Sequence, residues 1–387
     1  MKAALRGPWL RAVLTAVLVA ALAWIAGGQA LLGRIDPALA VPLLAPAMLF
    51  LAWWQRREIT RVRLYTAVLA MALLAAGQAL LGLILAGSAA PFQSLLVLTL
   101  GGVAALVADM LVQWRPGIRA LSWLAALALL PTWFAAAHIL LAALYRPVTA
   151  PAAAPAATML TGLPLRWSGG DDLAAMIAEG VHDDPALARL AELGPVSLVD
   201  SLVDHVPQPG GALLLAHPRA LAPQELVAID AFVRGGGRTV ILADALSGWP
   251  PRHPLGDPRN PPVTSLLTPL LDHWGIALGA APMDQRAAIA VEVEGQRLRL
   301  SSAGGFDRLP AGCRAFAQDR VAQCRIGKGE VWLVGDADLL FDPLWHPLFP
   351  GVEHLRQADT MEWLAARLWP GAGQAMLRPL WIRSRAA

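Results

Sequence analysis

The chain changes character near residue 150. Before that point polar positions are rare and apolar residues run on almost uninterrupted. After it, short apolar runs alternate with segments of helical periodicity. The first part holds five apolar runs, at residues 12–32, 38–54, 64–87, 92–114 and 120–145. Each is long enough, or nearly so, to cross a bilayer, which takes about 20 residues. The second run is the shortest and carries Pro42 and Pro46. One such run could be the core helix of a soluble protein. Five in succession predict a membrane α-helical bundle of five transmembrane helices.

In the second part the clearest pattern spans residues 211–244. An apolar run at 212–216 ends at His217-Pro218. Pro223 then sits in a first helical turn, where its missing N–H costs nothing. Leu226, Ile229 and Val233 recur at helical spacing, Gly235-Gly236-Gly237 ends the helix, and a second apolar run at 239–242 leads to Asp244. Two buried strands joined by a crossover helix pair in parallel.

The same reading places strands at 158–163, 196–199 and 330–334. It places helices at 171–179, 185–193, 263–274 and 361–368, and a hairpin of 288–293 with 296–300 about Glu294-Gly295. This alternation predicts an α/β doubly wound domain with antiparallel additions. The expected organisation is a transmembrane domain at 1–146, a stiff Pro/Ala linker at 147–157, the α/β domain at 158–372 and a basic tail at 373–387.

Charge fixes an expected orientation. Charged residues make up 15% of the chain, against about 25% in an ordinary soluble protein. The first 150 residues carry eleven basic and three acidic side chains, and the basic ones alternate between connections. Lys2, Arg6, Arg11, Arg56, Arg57, Arg61, Arg63, Arg115 and Arg119 fall on one side, and Arg34 and Arg146 on the other. The positive-inside rule puts the N-terminus in the cytoplasm and everything after the fifth run outside, with Trp53, Trp54 and Trp114 at the interface. The predicted location is the cell inner (cytoplasmic) membrane with a periplasmic C-terminal domain. The first run reads as retained rather than cleaved, because Ala38-Leu39-Ala40 lies too far from it to serve as a signal-peptidase site. The high pI belongs to loops between apolar runs, so membrane lipid is an expected partner and nucleic acid is not.

GQALLG occurs at 28–33 and again at 77–82, which suggests a duplicated helical hairpin with Gln29 and Gln78 as paired polar sites near the outer face. Asp109 and His138 are the ionisable residues well within the runs. Asp109 is expected at the interface beside Trp114, and His138 in a helix–helix hydrogen bond. So few intramembrane polar residues disfavour a self-contained carrier.

Candidate chemistry collects at strand ends, where doubly wound sheets bind ligands. Those ends carry Asp200, His217, Asp244, Asp336 and Asp338. As ligand-binding candidates they could hold a metal or act as acid and base, although Asp more commonly ends strands for structural reasons. No GxSxG elbow, phosphate loop or GxGxxG is present, and neither a metal site nor a cofactor is expected. Cys313 and Cys324 flank Gln318-Asp319 at equal distances, so they can face each other across a hairpin as a disulfide; the alternative is two reduced thiols.

The segment LLLAHPRALAPQELVAIDAFVRGGGRTVILAD resembles GldG-like auxiliary components of ABC transport systems. RIGKGEVWLVGDADLL at 325–340 and LTGLPLRW at 160–167 resemble the same family. The resemblance implies a flavodoxin/amidotransferase-like domain of the class I glutamine amidotransferase shape. Its function would be that of a non-enzymatic accessory subunit of an ABC-type export system, with an ABC permease and a separate nucleotide-binding subunit as partners. The strand end comparable to a nucleophile elbow carries His217 rather than cysteine, so amidotransferase activity is not implied. Five helices before the domain also depart from the family's usual arrangement. The alternative reading is an envelope hydrolase or sugar-binding enzyme using the strand-end carboxylates.

Overall fold

The computed structural model describes residues 2–114, 119–168 and 180–383, apart from Leu255, Asp284, Arg286, Leu348 and Pro350. The helix expected at 171–179 lies outside these residues. The chain divides into two compact units. Of the described residues, the helical unit comprises those up to Arg146, joined by those of Pro347–Leu355 and by 375–383. The α/β unit comprises Pro147–His346 and Arg356–Gln374. Two later segments, beyond the linker at 147–157, thus group with the helices.

In the helical unit α1 (Lys2–Ile25), α3 (Val41–Trp54), α4 (Thr60–Leu85), α5 (Pro91–Gln113) and α6 (Arg119–Leu144) carry the five stretches long and apolar enough to span a bilayer. The first helix starts earlier than expected and stops at Ile25, because the chain turns through Gly27 and a left-handed Gly28 (φ 86°) into the short α2 (Gln29–Leu32). The two GQALLG copies therefore differ in structure. One forms the break and α2, and the other lies inside α4. α3 is the most buried of the five. Its Leu44, Met48 and Leu51 contact the neighbouring helices through small residues such as Ala67, Ala70, Ala104 and Ala108.

A polar cluster closes one end of this unit. Arg34 and Asp36 are fully buried and bonded at 2.6 Å, Tyr145 Oη donates to the same Asp36 oxygen, and the Arg34 guanidinium lies between the Tyr145 and Trp381 rings. The segment around Trp381 pairs with Arg34, with Ile35 N donating to Leu380 O and Ile382 N to Gly33 O. Arg34, one of the two basic residues that the sequence assigns to the outer side, is paired with Asp36 inside the unit.

The α/β unit contains a seven-stranded sheet. Its parallel strands are β1 (Ala157–Thr161), β4 (Val196–Val199), β5 (Ala212–Ala216), β6 (Arg238–Leu242) and β13 (Gly329–Val334), extended antiparallel by β12 (Val321–Ile326) and β11 (Cys313–Phe316). The spatial order is β4-β1-β5-β6-β13-β12-β11, so the parallel part reads 2-1-3-4-5 by order of appearance. Alternation along the strands sends Leu213 and Leu215 to one face and Leu214 to the other. α8 (Pro223–Arg234) and α9 (Thr268–His273) cover the first face with Ile229, Val233, Leu270 and Leu271. α7 (Pro185–Leu193) and α10 (Thr360–Leu368) cover the second with Leu187, Leu190, Leu364 and Leu368.

The helix expected over 263–274 forms only at Thr268–His273, because the preceding residues are held in the β6 loop. Ser265 N donates to Asp244 O at 2.7 Å, and Ser247 N to Val263 O at 2.8 Å. The predicted hairpin forms as β8 (Ile289–Val293) and β9 (Gln296–Leu300), a separate two-stranded sheet.

Candidate functional site

The carboxyl ends of β6 and β13 are adjacent, and each reaches an aspartate after one intervening residue. Asp244 continues β6, while Asp336 and Asp338 follow β13 through Gly335. The topology brings these three carboxylates together although more than ninety residues separate the two strand ends. Each can offer an oxygen within 4.8 Å of the others, and all three side chains are buried. They are held by the loops above. Leu246 N donates to Asp244 Oδ1 at 3.0 Å, Ser301 N to Asp336 Oδ2 at 2.5 Å, and Gly248 N to Asp338 Oδ2 at 2.6 Å. Ser247 Oγ donates to Asp338 Oδ1 at 2.7 Å.

Ser302 is the hub. Its hydroxyl contacts Asp244 Oδ2, lies 2.6 Å from Asp338 Oδ2, and is 3.4 Å from Asp336 Oδ1. One hydroxyl has one proton, so it cannot donate to several carboxylates. The arrangement is satisfied when Asp244 is protonated and donates to Ser302 Oγ, which in turn donates to Asp338. The electrostatics agree. Burial, reinforced by Asp336 and Asp338, pushes Asp244 up to about 8, and burial together with Asp338 pushes Asp336 up to about 7. The same oxygen-only donor set could accept a hard divalent cation in place of the shared proton.

His217 ends β5 in a left-handed conformation (φ 48°) and is fully buried. Its Nε2 donates to Pro262 O at 2.9 Å, its Nδ1 has no partner, and burial lowers its basicity. Gly162 fits beside it because a side chain there would collide with His217 O. His217 is therefore a neutral imidazole near the cluster rather than one of its members. Asp200 stands apart and exposed at the end of β4.

The other singled-out residues fall elsewhere. Asp109 forms a two-point ion pair with Arg63 at 2.6 and 3.0 Å. His138 Nδ1 is 3.0 Å from His354 Nε2, so its partner lies in the short 3-10 turn Glu353–Leu355 rather than in another of the long helices. Both glutamines are buried with an unpartnered Oε1, but Gln29 starts the short α2 and donates to Asp36 O, whereas Gln78 lies inside α4, so the two are not equivalent sites. Cys313 and Cys324 face each other across β11 and β12 and form the expected disulfide. Sequence reasoning missed Ser302, which sits in a short loop with no motif around it.

Residues 187–297 match the model of a family described as an ABC-type uncharacterized transport system. The matched stretch runs from α7 through the β5-α8-β6 unit to the start of β9, and it supports an auxiliary component of an ABC transport system. No curated protein matches the chain. Among solved structures, an exo-beta-1,4-mannosidase from Opitutaceae bacterium strain TAV5 is 12% identical, with 54% of this chain and 35% of that one covered and a TM-score of 0.29. A beta-galactosidase from Rahnella sp. R3 is 14% identical, with 66% and 34% covered and a TM-score of 0.29. A ThuA-like protein from Parabacteroides merdae is 12% identical, with 58% and 92% covered and a TM-score of 0.26. The chain spans about a third of the length of the two glycosidases, and similarity at this level carries no argument about activity.

Proposed function

We propose that this chain is a membrane-anchored, non-enzymatic accessory subunit of an ABC-type export system of the GldG-like kind. In this reading the five helices cross the inner membrane with the N-terminus in the cytoplasm and dock a permease, and a separate subunit hydrolyses ATP. The α/β unit, with its flavodoxin-like strand order, lies in the periplasm and binds a ligand or an envelope partner.

One observation carries the proposal: a chain with five bilayer-length apolar helices also contains a segment that matches an ABC transport family. The Arg/Lys asymmetry and a disulfide suited to an oxidising compartment favour the orientation. Affinity purification of the tagged full chain from its own membranes in a mild detergent tests it. A permease and a nucleotide-binding subunit are expected to co-purify. Recovery of the chain alone under conditions that preserve a known ABC complex would overturn the assignment.

The second reading, an envelope hydrolase or sugar-binding enzyme, is favoured by the convergence of Asp244, Asp336 and Asp338 at the carboxyl edge of the sheet. It requires Asp244→Asn and Asp336→Asn to abolish a turnover or a bound ion present in the wild type. Wild-type protein without either removes this reading.

A further inference from the structure

A cavity of about 340 Å³ opens among α3, α4 and α5 of the helical unit. Its walls change character along the helices. Gln55, Thr60, Arg63 and Asp109 line one end, and Met48, Met71, Leu98 and Gly102 line the other. Gln55 and Thr60 lie at the end of α3 and the start of α4, the Arg-rich end of the bundle, beside Trp53 and Trp54. From Arg63 to Met71 the helix rises about 12 Å. The groove is thus polar at the membrane surface and apolar inward, the same gradient as a lipid standing in one leaflet.

The polar end has specific chemistry. Arg63 donates to both oxygens of Asp109 and to Glu58 O, so its own charge is compensated. Asp109 remains partly exposed to the groove. Gln55 is 3% exposed and donates through Nε2 to Arg63 O, but its Oε1 is buried without any donor. An acceptor left unsatisfied against hydrocarbon costs free energy that an acyl chain cannot return. The mouth therefore presents a carboxylate already held at both oxygens by Arg63 and, beside it, an amide oxygen that lacks an N–H donor. Arg56 and Arg61, adjacent in the chain to Gln55 and Thr60, are exposed cations suited to a phosphate. Inside the groove, Gly102 has nothing within 4 Å of the position a Cβ would take, so the space is open there.

We infer that this groove binds an aminophospholipid of the cytoplasmic leaflet. Its ammonium group lies at Gln55 Oε1 and Asp109, its phosphate lies toward the exposed arginines, and one acyl chain runs along α4 and α5 past Gly102. The inference rests on the helices crossing a membrane and not on the transport assignment.

Native mass spectrometry of the delipidated full chain, titrated with dioleoyl phosphatidylethanolamine, phosphatidylcholine or phosphatidylglycerol, tests it. Phosphatidylethanolamine is expected to bind at least tenfold more tightly than phosphatidylcholine, whose headgroup has no N–H. Gly102→Leu, which fills the groove, is expected to remove the tight site. Gln55→Leu is expected to erase most of the preference while leaving acyl binding. Equal binding of the three lipids, a preference for phosphatidylglycerol, or unchanged binding in a folded Gly102→Leu variant would each overturn it. So would a co-purifying membrane polypeptide that Gly102→Leu releases, since the groove would then hold a partner helix. If Gly102→Leu does not fold, the ethanolamine-to-choline ratio of Gln55→Leu decides alone: an unchanged ratio overturns the inference.

Discussion

At the scale of single residues the α/β unit is governed by proton count. Asp244 and Asp336 have folded pKa values raised to about 8 and about 7, first by burial and then by neighbouring carboxylates. A raised carboxyl pKa means that the folded state favours the protonated form. The stabilisation is complete below about pH 4, where the unfolded carboxyl is also protonated, and is lost as pH rises through 7 and 8. Thermal melts of the full chain in detergent should therefore show the α/β transition falling between pH 6 and pH 9. Asp244→Asn keeps the shape and removes the titrating group, so it should flatten that fall and raise the transition at pH 9 by several degrees, at about 2–4 °C per kcal/mol. An unchanged pH profile in the variant would mean that Asp244 does not carry the shared proton. In the helical unit, Asp36→Asn leaves Arg34 buried without its counter-charge. Loss of one partner of a buried pair costs about 3–5 kcal/mol, so this variant should melt well below the wild type in detergent. Equal melting would make the pair incidental. Asp244 and Asp336 were legible in the sequence because an apolar run followed by Asp marks a strand end. Ser302 and the Arg34–Asp36 pair were not, because only tertiary contacts reveal that one hydroxyl serves several acids or that a loop arginine is enclosed.

Elements were legible where local chemistry agrees with packing. α7 and α8 match their sequence-predicted ranges because Pro185 and Pro223 start them and Gly194 and Gly235 follow them. Hairpin β11–β12 was placed by its cysteines, and the left-handed residues Ala317, Gln318 and Asp319 make its turn. The failures have tertiary causes. Residues 263–267 resemble a helix start but are bonded to the Asp244 loop, and α1 ends early because two glycines break it. The disulfide gives the element-scale prediction. It closes a loop of sequence separation 11, which stabilises by about 2–3 kcal/mol in the chain-entropy account. Under reductant the unfolding free energy of the α/β transition should fall by that amount, moving the denaturant midpoint down by it divided by the slope m, and Cys313→Ser with Cys324→Ser should mimic it. An unchanged midpoint in both would show that the β12–β13 pairing holds β11 without it.

Across the molecule, the division into units follows the sequence only in part. The change of character near residue 150 marks where the long helices end, but Pro347–Leu355 and residues 375–383 return to the helical unit. Those returns depend on contacts such as Arg34 with His354 O and Gln93 with Arg378 O, which join residues about 300 positions apart and leave no periodic signal. The return also constrains topology. The ends of α1, α4 and α6 and the starts of α3 and α5 gather at one end of the bundle with the C-terminal segment, while the excess arginines lie at the other. The account places the first end outside the membrane and the second in the cytoplasm. Paired reporter fusions after Arg383, one to alkaline phosphatase and one to green fluorescent protein, test this most directly. The account predicts an active phosphatase, which folds only outside, and a dark fluorescent protein. Bright fluorescence with an inactive phosphatase would contradict it.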